Sequence, residues 1–189
     1  MNKTWEHFKT VTHHRALVCQ GCFKVGLYWQ GLTHDLSKFS PTEFRVGAKY
    51  WQGFRSPNNA EREDIGYSTA WLHHKGRNLH HYEYWIDYSS RVPGGMLPVP
   101  MPDKYIAEML MDRVAACKTY EGSKYTDASP LAYYKRGHDP APMHEYTRSQ
   151  LEMLITMLAE KGEDETYRYI KNVFLKKNKK QKKSEHQEK

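Results

Sequence analysis

Apolar residues recur along the first part of the chain at the spacing of an α-helix. Between residues 4 and 34 they fall about three or four positions apart, which is typical of a helix that buries one face. The residues that carry this pattern are Trp5, Phe8, Val11, Leu17, Val18, Phe23, Val25, Leu27 and Tyr28. Gly21 could divide the stretch into two helices, which could then run antiparallel.

The segment Ser40-Pro41-Thr42-Glu43 predicts the start of a further helix. Ser40 suits the N-cap, Pro41 suits the first helical position, and Glu43 stands where a capping box needs its acid. This helix should carry Phe44, Val46, Tyr50 and Trp51 and end at Gly53.

Helical patterns continue over most of the remaining chain. They predict helices over residues 60–75, from Asp103 onward, and over 129–135, 142–161 and 163–177, with Gly162 separating the last two. The segment 91–102 holds four prolines and two glycines, and it predicts an irregular rim or lid. Since no stretch alternates as a strand does, the pattern predicts an all-α, single-domain helical bundle.

Length and composition agree with one globular domain over residues 1–175. The chain has 189 residues, of which 39% are hydrophobic, and no apolar run approaches the ~20 residues that span a bilayer. The first residues lack the apolar stretch of a secretory signal. We therefore expect a cytoplasmic protein without a membrane partner, and an oligomer is compatible with the sequence.

The net charge of +7 is concentrated at the C-terminus. Residues 171–189 hold eight lysines and two glutamates, or +6, which leaves +1 for residues 1–170. Residues 176–189 therefore form a basic tail, which we expect to be a solvated, disordered terminus. Nucleic acid is a candidate partner for this tail.

Three cysteines, Cys19, Cys22 and Cys117, do not suggest a disulfide framework in a chain of this size. Cys19 and Cys22 form a C-x-x-C pair, but no second pair exists to complete a zinc site of four thiolates. Packing in the core is the favoured interpretation.

The segment His34-Asp35-Leu36-Ser37-Lys38 sets an imidazole beside a carboxylate at the predicted end of a helix. Both side chains can there reach one metal ion, and Lys38 stands where a phosphate could meet it. His14 lies twenty residues before His34, so two antiparallel helices would bring it to the same place.

Four of the eleven histidines lie in a second segment, His73-His74 and His80-His81. On one continuous helix His74 and His81 would lie about 10 Å apart along the axis, too far for one ion. A turn at Gly76 to Asn78 would fold them together. Asp112 follows later within the apolar run of residues 109–116, where a buried carboxylate needs a partner or a metal ion.

The ordered set H…HD…H…H…D resembles the HD-domain superfamily of metal-dependent phosphohydrolases over roughly residues 10–120. His34 to Lys38 resembles the H-D-x-G-K segment of the HD-GYP branch, with Ser37 in place of Gly. His80-His81-Tyr82-Glu83 is similar to the H-H-E segment of that branch. The chain lacks the G-Y-P segment, and it is also similar to a small phage and bacterial family that shares H-D-L-S-K-F and N-x-H-H-x-E-Y-W.

The resemblance implies a ligand set for one or two divalent ions, with Asp35 as the bridge between them. The ligands it implies are His14, His34, Asp35 and Asp112 for the first ion, and His74 with His80, His81 or both for the second. Nitrogen and oxygen ligands without sulfur suit Mn, Fe, Co, Ni or Zn. Lys38 would contact the phosphate, with Arg15, Lys75 and Arg77 as further candidates.

The implied activity is hydrolysis of a nucleotide or a related phosphate monoester by a metal-activated water. The alternatives are a phosphodiesterase acting on cyclic or oligomeric nucleotides, and a non-catalytic metal-containing module that binds nucleic acid. Adjacent histidines point about 100° apart on a helix, so only one of His13 and His14, and one of His73 and His74, is expected to be a metal ligand. Asp87 is an alternative to Asp112 as the last metal ligand, because Asp112 could instead pair with Arg113. We expect the aromatic residues near His81 to pack in the core rather than to form a surface on which a base could stack.

Overall fold

The computed structural model describes residues 2–137 and 142–176. Over these residues the chain forms one helical domain, which confirms the predicted all-α class. The helices are α1 (Lys3–Val25), α2 (Tyr28–Thr33), α3 (Pro41–Tyr50), α4 (Pro57–Ile65), α5 (Thr69–Lys75), α6 (Asp103–Glu121), α7 (Ser129–Arg136) and α8 (Glu145–Tyr169). Short 3-10 helices span Leu36–Phe39, Tyr82–Trp85 and Gly122–Lys124, and a π-helical turn, Ile170–Phe174, follows α8.

The core lies where α1, α6 and α8 pack together. Its fully buried side chains include Val18 and Cys22 from α1, Leu110 from α6 and Leu154 from α8. The C-terminal turn closes the same core with Phe174, which is fully buried. Burial of each such side chain contributes about 1.5–3 kcal/mol. The core therefore holds α1 and α6 side by side, and both helices also carry predicted site residues.

The cysteines pack as predicted. Cys22 and Cys117 are buried, Cys19 is half-buried, and all three are free thiols. Burial raises the pKa of the Cys117 thiol to about 11, so this side chain is a neutral, apolar packing group near neutral pH.

The first helical stretch divides at Gly26 rather than at Gly21, so that prediction was wrong. Gly26 adopts a left-handed conformation (φ 85°), and its N–H bonds the last carbonyls of α1, as helix-ending glycines do. Gly21 lies inside α1, where a Cβ would stand 2.8 Å from the sulfur of Met111. Its role is close packing of α1 on α6.

The predicted helix over residues 60–75 is two helices. Gly66 ends α4 in the left-handed region (φ 85°), and Ser68 caps α5 by accepting the N–H of Trp71 at 3.0 Å. Glu61, which is buried, binds the Ser68 hydroxyl at 2.6 Å and so joins the two helices at a bend.

A short β-hairpin corrects the expectation of no strands. Ile86–Tyr88 pairs antiparallel with Met96–Pro98, in the register Ile86 to Pro98 and Tyr88 to Met96. Three residues per strand are too few to show an alternating pattern. Met96–Pro98 lies within the segment predicted to be irregular.

Two other predictions about helix ends are confirmed. Ser40 caps α3, its hydroxyl accepting the N–H of Glu43 at 3.4 Å, and Pro41 is the first helical residue. Gly162 interrupts α8 with non-helical angles (φ 78°, ψ 172°). No helix within residues 2–137 and 142–176 is long and apolar enough to cross a membrane. The predicted basic tail lies outside the described residues from position 177 onward.

Candidate metal centre

The turn after α2 places His34 and Asp35. The His34 N–H bonds the carbonyl of Gln30 at 2.8 Å and ends the helix. Asp35 then adopts φ 53°, and in the described part of the chain it is the only non-glycine residue with a positive φ. Such a conformation costs free energy and persists only where the surroundings enforce it, and residues of this kind cluster at functional sites.

Arg15 on α1 holds this turn from behind. Its Nε donates to the carbonyl of His34 at 2.7 Å, and Nη2 donates to the carbonyl of Leu32 at 3.2 Å. Its guanidinium also stacks over the Phe39 ring at 5.2 Å. The side chain that was predicted to bind substrate thus binds the backbone of the turn.

Five segments bring the predicted ligands into one cluster. His14 comes from α1, His34 and Asp35 from the turn after α2, His74 from α5, His80 and His81 from the loop after it, and Asp112 from α6. The histidines and Asp35 are all buried, and 19% of the Asp112 side chain is exposed. The predicted turn at Gly76 to Asn78 is present and brings the rings of His74 and His81 to 4.8 Å.

Asp35 divides the cluster into two groups that could each hold a metal ion. The first group is His14, His34, Asp35 and Asp112, and the second group is Asp35, His74, His80 and His81. Asp35 Oδ2 faces the first group, 3.4 Å from His34 Nε2. Asp35 Oδ1 faces the second, 3.2 Å from His74 Nε2 and 3.4 Å from His80 Nε2. Each carboxylate oxygen thus serves one group.

Several buried polar atoms in the middle of the cluster lack hydrogen bonds. These atoms are Nε2 of His34, His80 and His81 and Oδ1 of Asp35, whereas His14 Nε2 lies 2.9 Å from Asp112 Oδ1 and Asp35 Oδ2 lies 2.6 Å from Lys38 Nζ. Buried polar atoms are nearly always satisfied, and exceptions call for an explanation. Imidazole nitrogens and carboxylate oxygens converging without hydrogen bonds are what a divalent metal ion requires. The residues present therefore fit a metal ion in each group.

Two buried glutamates bind the outer nitrogens of the rings. Glu108 Oε1 lies 2.9 Å from His34 Nδ1 and 3.2 Å from His80 Nδ1. Glu43 Oε2 lies 2.8 Å from His74 Nδ1. A carboxylate can only accept here, so each Nδ1–H donates, and in the neutral ring Nε2 keeps its lone pair toward the centre. This carboxylate and histidine arrangement is typical of metal sites.

Neither glutamate was predicted to belong to the site. Glu43 was assigned to a capping box, but its carboxylate turns away from the Ser40 N–H and binds His73 at 2.6 Å as well as His74. Glu108 lies four residues before Asp112, on the same face of α6. A second carboxylate within that apolar helix was a signal that could have revealed it.

Charge keeps the central carboxylates ionised. Burial alone would raise the pKa of Asp35, but His34, Lys38 and His74 lower it well below its usual value. The pKa of Asp112 is likewise raised by burial and lowered, by a larger amount, by His14 and His34. Burial also lowers the pKa of His81 well below its usual value, which favours the neutral imidazole that binds metals.

A cavity of about 580 Å³ opens beside the cluster and includes Lys38 in its lining. Lys38 Nζ lies 2.6 Å from Asp35 Oδ2. Arg15, Lys75 and Arg77, the other predicted substrate contacts, do not line this cavity. Arg77 is exposed in the turn after α5, and its Nη1 donates to the carbonyl of His73. The arginines that do line it are Arg55, Arg113 and Arg136. Arg113 directly follows Asp112, a proximity that could have indicated it.

The location of each side chain decides between the alternative metal ligands that the sequence left open. His13 is exposed whereas His14 is buried in the cluster, and His73 lies outside both groups while His80 and His81 both belong to the second. Asp87 is exposed on the hairpin and accepts the N–H of Tyr88. Trp85 and Tyr82 pack against the core, as predicted, and Trp71 and Tyr82 line the cavity. Tyr84 is exposed, so the prediction of a core position was wrong for it.

Comparison with known proteins assigns residues 3–157 to a family model described as "Family of unknown function (DUF5662)". The matched span contains every residue of both ion groups. No curated protein and no solved structure matches the chain.

Proposed function

The chain belongs to DUF5662, a family of unknown function, and we propose that it is a metal-dependent phosphohydrolase that cleaves a nucleotide or a related phosphate monoester. The observation that carries the proposal is Asp35, whose two oxygens face two separate sets of buried nitrogen and oxygen atoms. Two metal ions bridged by a carboxylate are the usual device for activating water and neutralising a phosphoryl group.

The ligand types support a transition metal. Five imidazole nitrogens and two carboxylates, without a thiolate, suit Mn, Fe, Co, Ni or Zn. Glu108 and Glu43 hold the rings of His34, His80 and His74 in the orientation that such an ion needs. The chain thus supplies both the ligands and the groups that fix them.

Lys38 is the residue we assign to the phosphate. Its ammonium lies at the cavity wall beside Asp35, so a phosphoryl oxygen placed next to the bridging carboxylate would meet it. The rest of the cavity would hold the alcohol part of the ester. Its lining offers aromatic faces from Trp71 and Tyr82 and the amides of Asn58 and Asn59, which suit a nucleoside.

Release of inorganic phosphate tests the proposal. Protein loaded with Mn or Co is incubated with a panel of nucleoside monophosphates, sugar phosphates and phosphodiesters, and we expect turnover of monoesters. Asp35→Asn and His14→Gln should remove it. His13→Gln, a neighbouring and exposed histidine, is the matched control and should retain it.

The other outcomes separate the alternatives. Turnover of phosphodiesters without monoesters would replace the proposal with a cyclic or oligomeric nucleotide phosphodiesterase. Absence of any turnover, with nucleic-acid binding that survives His34→Ala and Asp35→Ala but is lost on deletion of residues 176–189, would support a non-catalytic module.

A further inference from the structure

One carboxylate oxygen stands behind both ion groups. Glu108 Oε1 contacts Nδ1 of His34, which belongs to the first group, and Nδ1 of His80, which belongs to the second. The rings of His34 and His80 lie at 36° to each other with their centroids 4.3 Å apart. Glu108 is only 5% exposed and projects from α6, so the contacts to both rings are buried.

Glu108, His34 and His80 also form a group that could hold an ion, and we interpret the two Nδ1 contacts as hydrogen bonds. Distances of 2.9 and 3.2 Å are those of N–H···O bonds, and both Nε2 atoms remain free toward the centre. An ionised carboxylate oxygen has lone pairs for two donors. By accepting from both rings, Glu108 selects for each the tautomer in which Nε2 can bind a metal.

We propose that Glu108 is a positioning residue that orients one ligand of each ion group and thereby makes the metal affinity of both groups depend on a single side chain. The inference rests on the proposed function in that it concerns the same two groups. Loss of the carboxylate would free both rings at once. Such outer contacts typically change metal affinity by about 10- to 100-fold.

Glu43 provides the contrast within the same protein. It is also buried, and its carboxylate also bonds the outer nitrogen of a ligand, but it reaches only His74 of the second group. Its other partner, His73, belongs to neither group. Loss of Glu43 should therefore weaken only one site, and loss of Glu108 should weaken both.

The test measures each site alone by calorimetric titration with Mn. His81→Gln disables the second group and leaves the first, and His14→Gln does the reverse. In both backgrounds Glu108→Ala should raise the Kd for the remaining ion by about 10- to 100-fold. Glu108→Gln, which keeps the acceptor oxygen, should recover part of the affinity in both. Glu43→Ala should raise the Kd only in the His14→Gln background.

If Glu108→Ala raised the Kd for Mn in only one of the two single-site variants, while Glu43→Ala behaved as expected, the inference would be overturned. The proposed function would remain intact. Absence of metal binding by the unsubstituted chain would instead remove the proposed function. If Glu108→Ala does not fold, nitrogen NMR of the zinc-loaded unsubstituted chain tests the inference by showing which imidazole nitrogens of His34 and His80 carry a proton. His34 and His80 should both carry their proton on Nδ1, and a proton on Nε2 of either ring would contradict the coupling.

Discussion

Replacement of Arg15 by alanine distinguishes a structural role from substrate binding. The guanidinium donates to the carbonyls of His34 at 2.7 Å and Leu32 at 3.2 Å, the first contact partly buried and the second exposed. A hydrogen bond from a charged group contributes about 1.5–3 kcal/mol, and the exposed one should contribute less. Arg15→Ala should therefore destabilise the fold by about 2 kcal/mol.

Thermal unfolding of the metal-free protein checks this value. For a chain of this size 1 kcal/mol shifts the midpoint by about 2–4 °C, so we expect a decrease of about 4–8 °C. Arg45→Ala, at an exposed position on α3, is the matched control and should leave the midpoint unchanged. An unchanged midpoint for Arg15→Ala, together with a raised KM, would refute the structural role and restore the sequence-based assignment of Arg15 to the substrate.

Three further predictions concern the surroundings of the site. Gly47→Ala should lower the free energy of unfolding by about 1–3 kcal/mol, measured with denaturant, because the new Cβ would clash with the His7 ring. Gly21→Ala should lower it less, since its Cβ would meet only the flexible Met111 side chain. Equal losses of stability in the two variants would contradict this reasoning. Burial lowers the pKa of His7 to about 4, so the folded state binds a proton at this residue more weakly than the unfolded state does. The contribution of neutral His7 to the free energy of unfolding is therefore fully present above the unfolded pKa and is lost as the pH falls toward 4. At pH 5 the loss should be about 2 kcal/mol relative to pH 7, and a His7→Phe variant that retained the same dependence would exclude His7 as its source. Lys38→Met should weaken inhibition by inorganic phosphate about 10- to 100-fold with metal content unchanged; loss of the metal would show that Lys38 supports the ligands instead.

The residues of the buried cluster could be predicted from the sequence because metal sites demand particular side chains. His34 and Asp35 are adjacent, and the turn at Gly76 to Asn78 has the residue types that fold His74 back toward His81. Helical periodicity likewise predicted the α-helical class. These features depend on local residue order, which sequence reasoning reads directly.

The supporting contacts depend on tertiary packing and could not be read in the same way. Glu43 has the sequence position of a capping residue, and only the packing of α3 on α5 turns its carboxylate to His73 and His74. Arg15 lies on the same helix as His14, and its direction toward the carbonyl of His34 depends on how α2 returns along α1. Charged residues near a site cannot be sorted into substrate contacts and backbone contacts before that arrangement is known.

Gly21 and Gly26 show the same limit in the backbone. Both are glycines in one helical stretch, five residues apart. One packs against Met111 and the other ends the helix. The sequence identifies the residue type that allows either role, and the neighbouring helix decides between them.

The central claim is that Asp35 bridges two metal ions, and anomalous diffraction from crystals of the metal-loaded protein tests it most directly. We expect two anomalous peaks about 3.5–4 Å apart, one beside Asp35 Oδ2 with His14, His34 and Asp112, the other beside Oδ1 with His74, His80 and His81. Elemental analysis of the same protein should give two ions per chain. A single ion enclosed entirely by protein ligands, or no peak at Asp35, would contradict the account.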